Sequence, residues 1–135
     1  YHPGGALGKR LYLKVADIVV HNQKPEVAPD TDIKKVIVEI SEKMLGVAAV
    51  IDNGRIVGVV TDGDIRRMLS KTDSIKGLVA KDIMSANPKT IDLESLAIDA
   101  LHLMEKNKIT QLLVTREGQY EGIIHLHNLI QEGLI

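Results

Sequence analysis

Several residue types are absent or scarce in this 135-residue chain. It has no cysteine, which excludes disulfide bonds, thiolate metal sites and a cysteine nucleophile. It has no phenylalanine or tryptophan and only three tyrosines, so it lacks the aromatic platforms on which single-stranded nucleic acids stack. Its longest apolar run, from Leu45 to Ile51, is far shorter than the roughly 18 residues that cross a bilayer.

The chain also lacks an excess of either charge, because 17 Lys and Arg stand against 18 Asp and Glu, a net charge of −1. This balance does not favour a polyanion or a membrane surface as partner. The apolar fraction of 44% and the charged fraction of 26% are typical of a globular domain, and a cytoplasmic location fits them. Because the chain begins with Tyr1 rather than Met, we interpret it as a fragment of a longer protein.

Short motifs recur at a spacing of about 64 residues. Val15-Ala16 returns as Val79-Ala80, and Asp17-Ile18 returns one residue later than that spacing, as Asp82-Ile83. Three further positions keep the spacing: Val50 and Val114, Gly54 and Gly118, Gly58 and Gly122. Repetition at a fixed spacing predicts two copies of one structural unit.

Each copy has the pattern of a β-α-β-β-α unit. Asp30 or Thr31 is predicted to cap the first long helix and Gly46 to end it, and Asp92 is predicted to cap the second. Asn53-Gly54 is a strong signal for a two-residue hairpin turn. The elements predicted in order are strand 26–27, helix 33–44, strands 47–51 and 56–60, a helix from 61, linker 70–77, strand 90–91, helix 93–104, strands 111–115 and 120–125, and helix 126–132.

A unit of this size cannot bury its own sheet face. We therefore predict an α/β (α+β) fold in which two β-α-β-β-α motifs pack sheet to sheet with pseudo-twofold symmetry. Two equivalent clefts would then lie between the halves.

The segment from Gly58 to Asp64 carries the clearest candidate site, because it ends a strand and starts a helix. Unpaired backbone N–H groups at a helix start suit a phosphate, and the Thr61 hydroxyl could bind the same group. Asp64 could accept hydrogen bonds from the two hydroxyls of a ribose, while Arg66 and Arg67 would steer an anion. The alternative is a plain helix start, with Thr61 or Asp62 as N-cap and solvated arginines.

The tandem units, each entered through V-A-(K)-D-I and closed by G-h-h-(T)-x-x-(D), resemble a pair of cystathionine β-synthase (CBS) motifs over residues 15–135. In that family such pairs bind adenosyl or other nucleotide ligands in the clefts between repeats. The resemblance implies that Thr61 contacts phosphate and that Asp64 contacts ribose. It also implies that the base lies against the other repeat, near Ser85, Thr90, Ile109 and Thr110. The predicted nucleotide-binding residues are Thr61, Asp62, Asp64, Arg66, Arg67, Ser85, Thr90, Ile109 and Thr110.

The second copy departs from the motif, since His125 and Asn128 replace the threonine and the aspartate. An amide offers one good acceptor oxygen where a carboxylate offers two. We predict a degenerate second cleft formed by His125, His127 and Asn128. The His125-x-His127 pair could bind a metal, but no carboxylate has ligand spacing to it, and we predict no metal site.

The start of the chain, from His2-Pro3-Gly4-Gly5 to Arg10, resembles the junction that follows the sugar isomerase (SIS) domain in arabinose 5-phosphate isomerases with a C-terminal CBS pair. The parent would convert ribulose 5-phosphate to arabinose 5-phosphate for Kdo and lipopolysaccharide or capsule synthesis. His2 would be a remnant of the isomerase site. This reading divides the chain into a tail over 1–14, a first CBS motif with linker over 15–78 and a second over 79–135.

We expect the chain to be a regulatory module without catalytic residues or a cofactor. AMP, ADP, ATP or CMP-Kdo would be its ligand, its own SIS domain its partner, and a homodimer its assembly within a tetrameric parent. A module that only organises the parent's oligomer is the alternative, and Thr61 and Asp64 would then be coincidental. An autonomous enzyme explains least, because no acid, base or nucleophile converges.

Overall fold

The computed structural model describes residues 6–135, which form seven helices and six strands. In chain order these are α1 Ala6–Leu11, α2 Val15–Val19, β1 Glu26–Val27, α3 Ile33–Lys43, β2 Val47–Asp52, β3 Arg55–Thr61, α4 Asp62–Lys71, α5 Ala80–Ile83, β4 Thr90–Asp92, α6 Ala97–Asn107, β5 Gln111–Arg116, β6 Gln119–His125 and α7 Leu126–Gln131.

These elements form two compact units. Of the described residues, one unit contains 6–22, 89–117 and 121–135, and the other contains 23–88 and 118–120. The units therefore differ from the sequence repeats in one helix each. The first helix of the first repeat, α2, belongs to the unit built mainly from the second repeat, whereas α5 belongs to the unit built mainly from the first.

The unit of residues 23–88 contains the strand order β1-β2-β3. Strand β1 pairs with β2 in parallel, and β2 pairs with β3 as an antiparallel hairpin. At the turn of this hairpin, Asn53 and Gly54 have φ angles of 50° and 80°, as a type I′ turn requires. The predicted hairpin turn is thus confirmed. Helix α3 packs on the sheet of this unit. The buried core of the unit consists of Ile33, Val36, Ile40, Ala48, Val50, Val60, Met68 and Ala80.

The other unit repeats this plan with β4 parallel to β5 and β6 on the other side of β5. Helix α6 supplies the apolar stripe that covers these strands, and the methyl-rich side chains of α2 complete the core. Its fully or nearly buried members are Val15, Ile18, Val19, Ile91, Ala97, Ala100, Leu101, Met104, Leu112, Val114, Ile124 and Leu129.

The boundaries of the two long helices differ from the sequence predictions. Asp32, not Asp30 or Thr31, caps α3, and its Oδ2 accepts a hydrogen bond from the backbone N–H of Lys34 at 3.1 Å. Met44 does not continue the helix towards Gly46 but ends it, in the left-handed conformation with 86% of its surface exposed. The helix therefore ends at Lys43, one residue before the end of the predicted helix 33–44 and short of the predicted stop at Gly46.

The prediction that Asp92 caps the second long helix was also wrong. Asp92 ends β4, and its carboxylate accepts from the N–H of Glu94 at 2.8 Å while its carbonyl accepts from that of Ser95 at 3.0 Å. These bonds form a turn, and α6 begins only at Ala97. The predicted linker is shifted as well: α4 continues to Lys71 and α5 begins at Ala80, so the linker covers 72–79 instead of 70–77.

The V-A-(K)-D-I motifs form short helices, α2 and α5, that the sequence analysis did not predict. In each, the aspartate accepts a hydrogen bond from the backbone N–H three residues earlier, Lys14 to Asp17 at 2.9 Å and Val79 to Asp82 at 2.8 Å. The motif therefore specifies a capped helical turn. No helix among residues 6–135 is long and apolar enough to cross a membrane.

Candidate functional site

The predicted site lies where β3 ends and α4 begins. Thr61 is the N-cap of α4, and its Oγ1 accepts a hydrogen bond from the N–H of Asp64 at 3.1 Å. In return, Oδ2 of Asp64 accepts from the N–H of Thr61 at 2.9 Å. Of the two candidate caps, Thr61 thus has this role, while Asp62 is an exposed residue in the first turn. A T-x-x-D sequence forms such a reciprocal pair because the two side chains meet at the first helical turn.

The carboxylate of Asp64 is buried, with a relative exposure of 6%. Its Oδ2 also accepts from the Thr61 hydroxyl at 3.0 Å, and its Oδ1 accepts from Arg67 Nη2 at 2.6 Å and from Ser85 Oγ at 3.0 Å. A carboxylate has about four acceptor sites, and these bonds occupy all of them. We call Thr61, Asp64, Arg67 and Ser85 the first corner.

Ser85 reaches Asp64 because its backbone pairs with β3. The N–H of Val59 donates to the carbonyl of Ser85 at 3.0 Å, and the N–H of Ser85 donates back at 2.8 Å. Gly58 permits this approach, since a Cβ there would lie 2.9 Å from the Ser85 carbonyl oxygen and 2.6 Å from Met84 Sδ. Ser85 was predicted to lie near the base, whereas its hydroxyl bonds to Asp64, the predicted ribose ligand.

The two predicted arginines differ in their contacts. The guanidinium of Arg67 bonds to Asp64 although 63% of the side chain is exposed. It also overlies the first turn of α4, where Nη1 would be 3.3 Å from a Cβ at Gly63. Arg66 is exposed and forms no ion pair with any residue that the structure describes. Only Arg67 therefore belongs to the hydrogen-bonded cluster.

A cavity of about 350 Å³ adjoins the first corner. It lies between α4 and α5, and its lining includes Asp64, Arg67, Lys71, Asp82 and Ile83. A volume in this range is typical of small-molecule sites. Lys71 was not predicted as a site residue, although its position four residues after Arg67 would have placed both cations on one helix face.

A larger cavity of about 500 Å³ lies elsewhere in the same unit, beside β1 and α3. Its charged lining residues are Glu26, Lys35 and Glu39, so two carboxylates face one ammonium group. None of the predicted site residues lines it. The cavity beside the first corner has two cations, Arg67 and Lys71, for its two carboxylates, Asp64 and Asp82, so its charge balance suits a nucleotide phosphate better.

The equivalent position in the other unit is formed by neutral side chains. His125 caps α7, and its Nδ1 accepts from the N–H of His127 at 2.9 Å. Asn128 Oδ1 accepts from the N–H of His125 at 2.8 Å and from Asn22 Nδ2 at 3.0 Å, and Asn128 Nδ2 donates back to Asn22 at 3.3 Å. We call His125, Asn128 and Asn22 the second corner.

His125 and His127, the candidate metal pair of the sequence, have unequal surroundings. Burial lowers the pKa of His125, and repulsion from His127 adds to the effect. The ring centroids are 6.5 Å apart, and His125 Nδ1 is already bonded to backbone. Among residues 6–135, no group of three or more His, Asp or Glu side chains could hold a metal ion.

The remaining predicted residues do not join the first corner within its own unit. Thr90, Ile109 and Thr110 belong to the other compact unit. There the carbonyl of Thr110 accepts from the N–H of Leu126 at 2.7 Å, which places it beside the second corner. Their contact with a base at the Asp64 site stays a prediction. His2 lies outside the described residues.

Asn22 is the residue of the second corner that the sequence analysis missed. Its amide donates to the carbonyl of Ile123 at 2.9 Å as well as to Asn128. The residue precedes Asn128 by more than a hundred positions, and no local pattern in the sequence marks it.

The architecture and the first corner together define a tandem α/β repeat whose strand–helix junction carries a T-x-x-D cap around a buried carboxylate. The sequence profile of the CBS domain matches residues 15–71 and 80–134. The chain belongs to the CBS domain family. The α/β fold class and the resemblance to a CBS pair are thereby confirmed.

Similar curated proteins are arabinose 5-phosphate isomerases. The KdsD protein of Yersinia pestis is 37% identical over 136 residues, which is 99% of this chain and 42% of that protein. The KdsD protein of Francisella tularensis subsp. tularensis is 42% identical over 132 residues, which is 96% of this chain and 40% of that protein. The chain thus spans about two fifths of the length of these relatives.

Solved structures of CBS proteins share the fold. A crystal structure of a CBS domain has a TM-score of 0.81 at 18% identity, with 90% of this chain and 98% of that chain covered. The structure of CBSX2 in complex with AMP has a TM-score of 0.71 at 25% identity, with 90% and 96% covered.

Proposed function

We propose that this chain is the C-terminal regulatory module of a D-arabinose 5-phosphate isomerase and binds a nucleotide or nucleotide sugar at the first corner. The names of the similar KdsD proteins support the parent enzyme. The complex of CBSX2 with AMP supports the class of ligand. The buried carboxylate of Asp64, beside a cavity with two cationic side chains, is the observation that carries the proposal.

The chemistry of the first corner matches the two polar parts of a nucleotide. A carboxylate can accept both vicinal hydroxyls of a ribose, and Asp64 is held rigidly by Thr61 for that role. The cationic groups of Arg67 and Lys71, with the N-terminus of α4, suit the phosphate. Thr90, Ile109 and Thr110 are the proposed neighbours of the base.

The proposed role in the parent enzyme is feedback. Adenine nucleotides are one set of candidate ligands, and CMP-Kdo is the other, since it is an end product of the pathway that arabinose 5-phosphate supplies. A ligand regulates only if it binds two states of the protein differently. The proposed setting is a cytoplasmic homodimer within the parent assembly.

A thermal-shift screen against AMP, ADP, ATP, CMP and CMP-Kdo tests this proposal. A ligand at about 100 times its dissociation constant adds roughly 2.7 kcal/mol to the free energy of unfolding. We expect one class of ligand to raise the melting temperature. Asp64→Asn should abolish the shift, because it keeps the side-chain shape and removes the charge, whereas Asn128→Ala at the second corner should preserve it.

The fully bonded state of Asp64 favours a second candidate, a module that only organises the oligomer of the parent enzyme. Four hydrogen bonds already satisfy the carboxylate without a ligand. In that case none of the five ligands would shift the melting temperature. Deleting the module would then change the molar mass of the parent assembly, measured by light scattering, without changing its response to nucleotides.

A further inference from the structure

The ion pair of the first corner joins a fixed partner to a movable one. The Asp64 side chain is 5% exposed and bonded on both oxygens, whereas the Arg67 side chain is 63% exposed. Arg67 Nη2 lies 2.6 Å from Oδ1. The guanidinium can therefore leave the carboxylate by rotating into solvent, while the carboxylate has no room to move.

A ribose that binds Asp64 has to replace one of these bonds, because all four acceptor positions are occupied. The Thr61 N–H bonds to Oδ2 as part of the cap of α4, so a ligand that displaced this donor would break the cap. The ligand hydroxyl therefore competes most readily at Oδ1, because its two donors, Arg67 Nη2 and Ser85 Oγ, belong to exposed residues.

The position of Arg67 determines how much binding free energy is lost when a ligand hydroxyl displaces it from Asp64. Its guanidinium lies over the first turn of α4 near Gly63, and a helix start is where a phosphate binds. A phosphorylated ligand therefore offers Arg67 a second anion close to the one it gives up. A neutral nucleoside offers none, so its ribose would break a charge-assisted hydrogen bond without replacement.

We infer that Arg67 is a specificity-determining residue that transfers its ion pair from Asp64 to the ligand phosphate, and that the site thereby selects nucleotides over nucleosides. This inference rests on the proposed function, since it concerns the same corner. In the free protein Arg67 bonds to Oδ1 of Asp64. In the complex Arg67 would bind the ligand phosphate, and Oδ1 would then accept from the ribose. The second corner has no arginine that could exchange partners in this way, because Gln131 is at the position that corresponds to Arg67.

Isothermal titration calorimetry tests the exchange. The affinity of the chain for AMP is compared with its affinity for adenosine, and the affinity for CMP with that for cytidine. In the wild-type chain the nucleotide should bind about ten- to a hundredfold more tightly than its nucleoside, the range expected for one charge-assisted bond. In Arg67→Gln, nucleotide binding should weaken and nucleoside binding should tighten, because Oδ1 is no longer held by a cation.

The tightening of the nucleoside is the decisive result. An arginine that only touched the phosphate would leave adenosine affinity unchanged when removed, so an unchanged adenosine affinity in Arg67→Gln overturns the exchange. Arg66→Gln is the matched control and should leave both affinities as in the wild type. Arg67→Lys keeps a cation and should keep most of the preference, which allows a comparison if Arg67→Gln unfolds.

The titrations also separate this inference from the proposed function. If the wild-type chain binds neither these nucleotides and nucleosides nor ADP, ATP and CMP-Kdo, the ligand site itself is refuted and the role of Arg67 with it. If nucleotides bind and Arg67→Gln retains the wild-type ratio, the ligand site stands and only the exchange is refuted.

Discussion

The two corners of the molecule share a backbone design and differ in charge. In both, the side-chain oxygen of the third helical residue accepts from the N–H of the cap, at 2.9 Å in Asp64 and 2.8 Å in Asn128. In both, the first helical N–H donates to the carbonyl of the residue just before the first strand of the hairpin, Asp62 to Gly46 before β2 and Leu126 to Thr110 before β5. The corner is therefore a requirement of the fold, independent of any ligand.

Their difference lies in what surrounds the third helical residue. Asp64 faces an arginine and two hydroxyls, whereas Asn128 faces a second amide, Asn22. An acceptor oxygen satisfies the cap in either case, but only the carboxylate brings a negative charge and a cationic partner. Charge at this position, rather than the corner geometry, is what distinguishes a candidate ligand site from a structural junction.

The largest expected difference between the corners is in stability. Asp64→Ala leaves the donors of Thr61, Ser85 and Arg67 without an acceptor, so it should lower the free energy of unfolding by about 2–4 kcal/mol. Asn128→Ala removes neutral bonds only and should cost about 1–2 kcal/mol. Urea unfolding of both variants measures the two losses. Equal losses would contradict a charge-based distinction.

The next expected effect concerns the paired glycines of β3 and β6. A Cβ at Gly58 would push against the Ser85 backbone, so Gly58→Ala should cost about 1–3 kcal/mol by overpacking. It should also weaken nucleotide binding, because Ser85 would move away from Asp64. Gly122→Ala meets Val19 at 3.0 Å and strains a φ of 140°.

Gly122→Ala serves as the control for that experiment, since it should destabilise the second corner without changing nucleotide affinity. Thermal melts combined with nucleotide titrations of the two variants distinguish the effects. Loss of affinity in Gly122→Ala would show that the second corner, not the first, carries the ligand.

The smallest expected effect is on pH dependence. The pKa of His125 is lowered in the folded chain, mainly by burial, so folding favours the neutral ring. Its stabilising contribution is then complete above the unfolded pKa of about 6.5 and is lost as the pH falls through the folded pKa. Protonation also removes the Nδ1 lone pair that caps α7.

His125→Thr copies the cap of the first corner and should reduce the loss of melting temperature between pH 7.5 and 5.5. The change should be below about 1 kcal/mol, since the ring is only partly buried and solvent screens it. Identical pH profiles for the wild type and His125→Thr would show that the cap at His125 does not titrate in this range.

Local patterns in the sequence predicted the parts of the fold that local geometry specifies. The hairpin at Asn53-Gly54 and the helix start at Thr61 span only a few residues, so the local sequence indicated them, whereas the reciprocal bonds of Thr61 and Asp64 were not predicted. The start of α6 was mispredicted because the local sequence at Asp92 is compatible with two structures. Asp92 has the chemistry of a helix cap and also of a turn, and only the packing of the strand decides between them.

The sequence by itself thus determined the family, the two repeats and the residues of the T-x-x-D junction, because each is encoded by neighbours along the chain. The tertiary structure alone decided that Ser85 completes Asp64 and that Asn22 completes Asn128. Those contacts depend on how strands and short helices pack, and one hydrogen bond between distant residues leaves no periodic trace in a sequence.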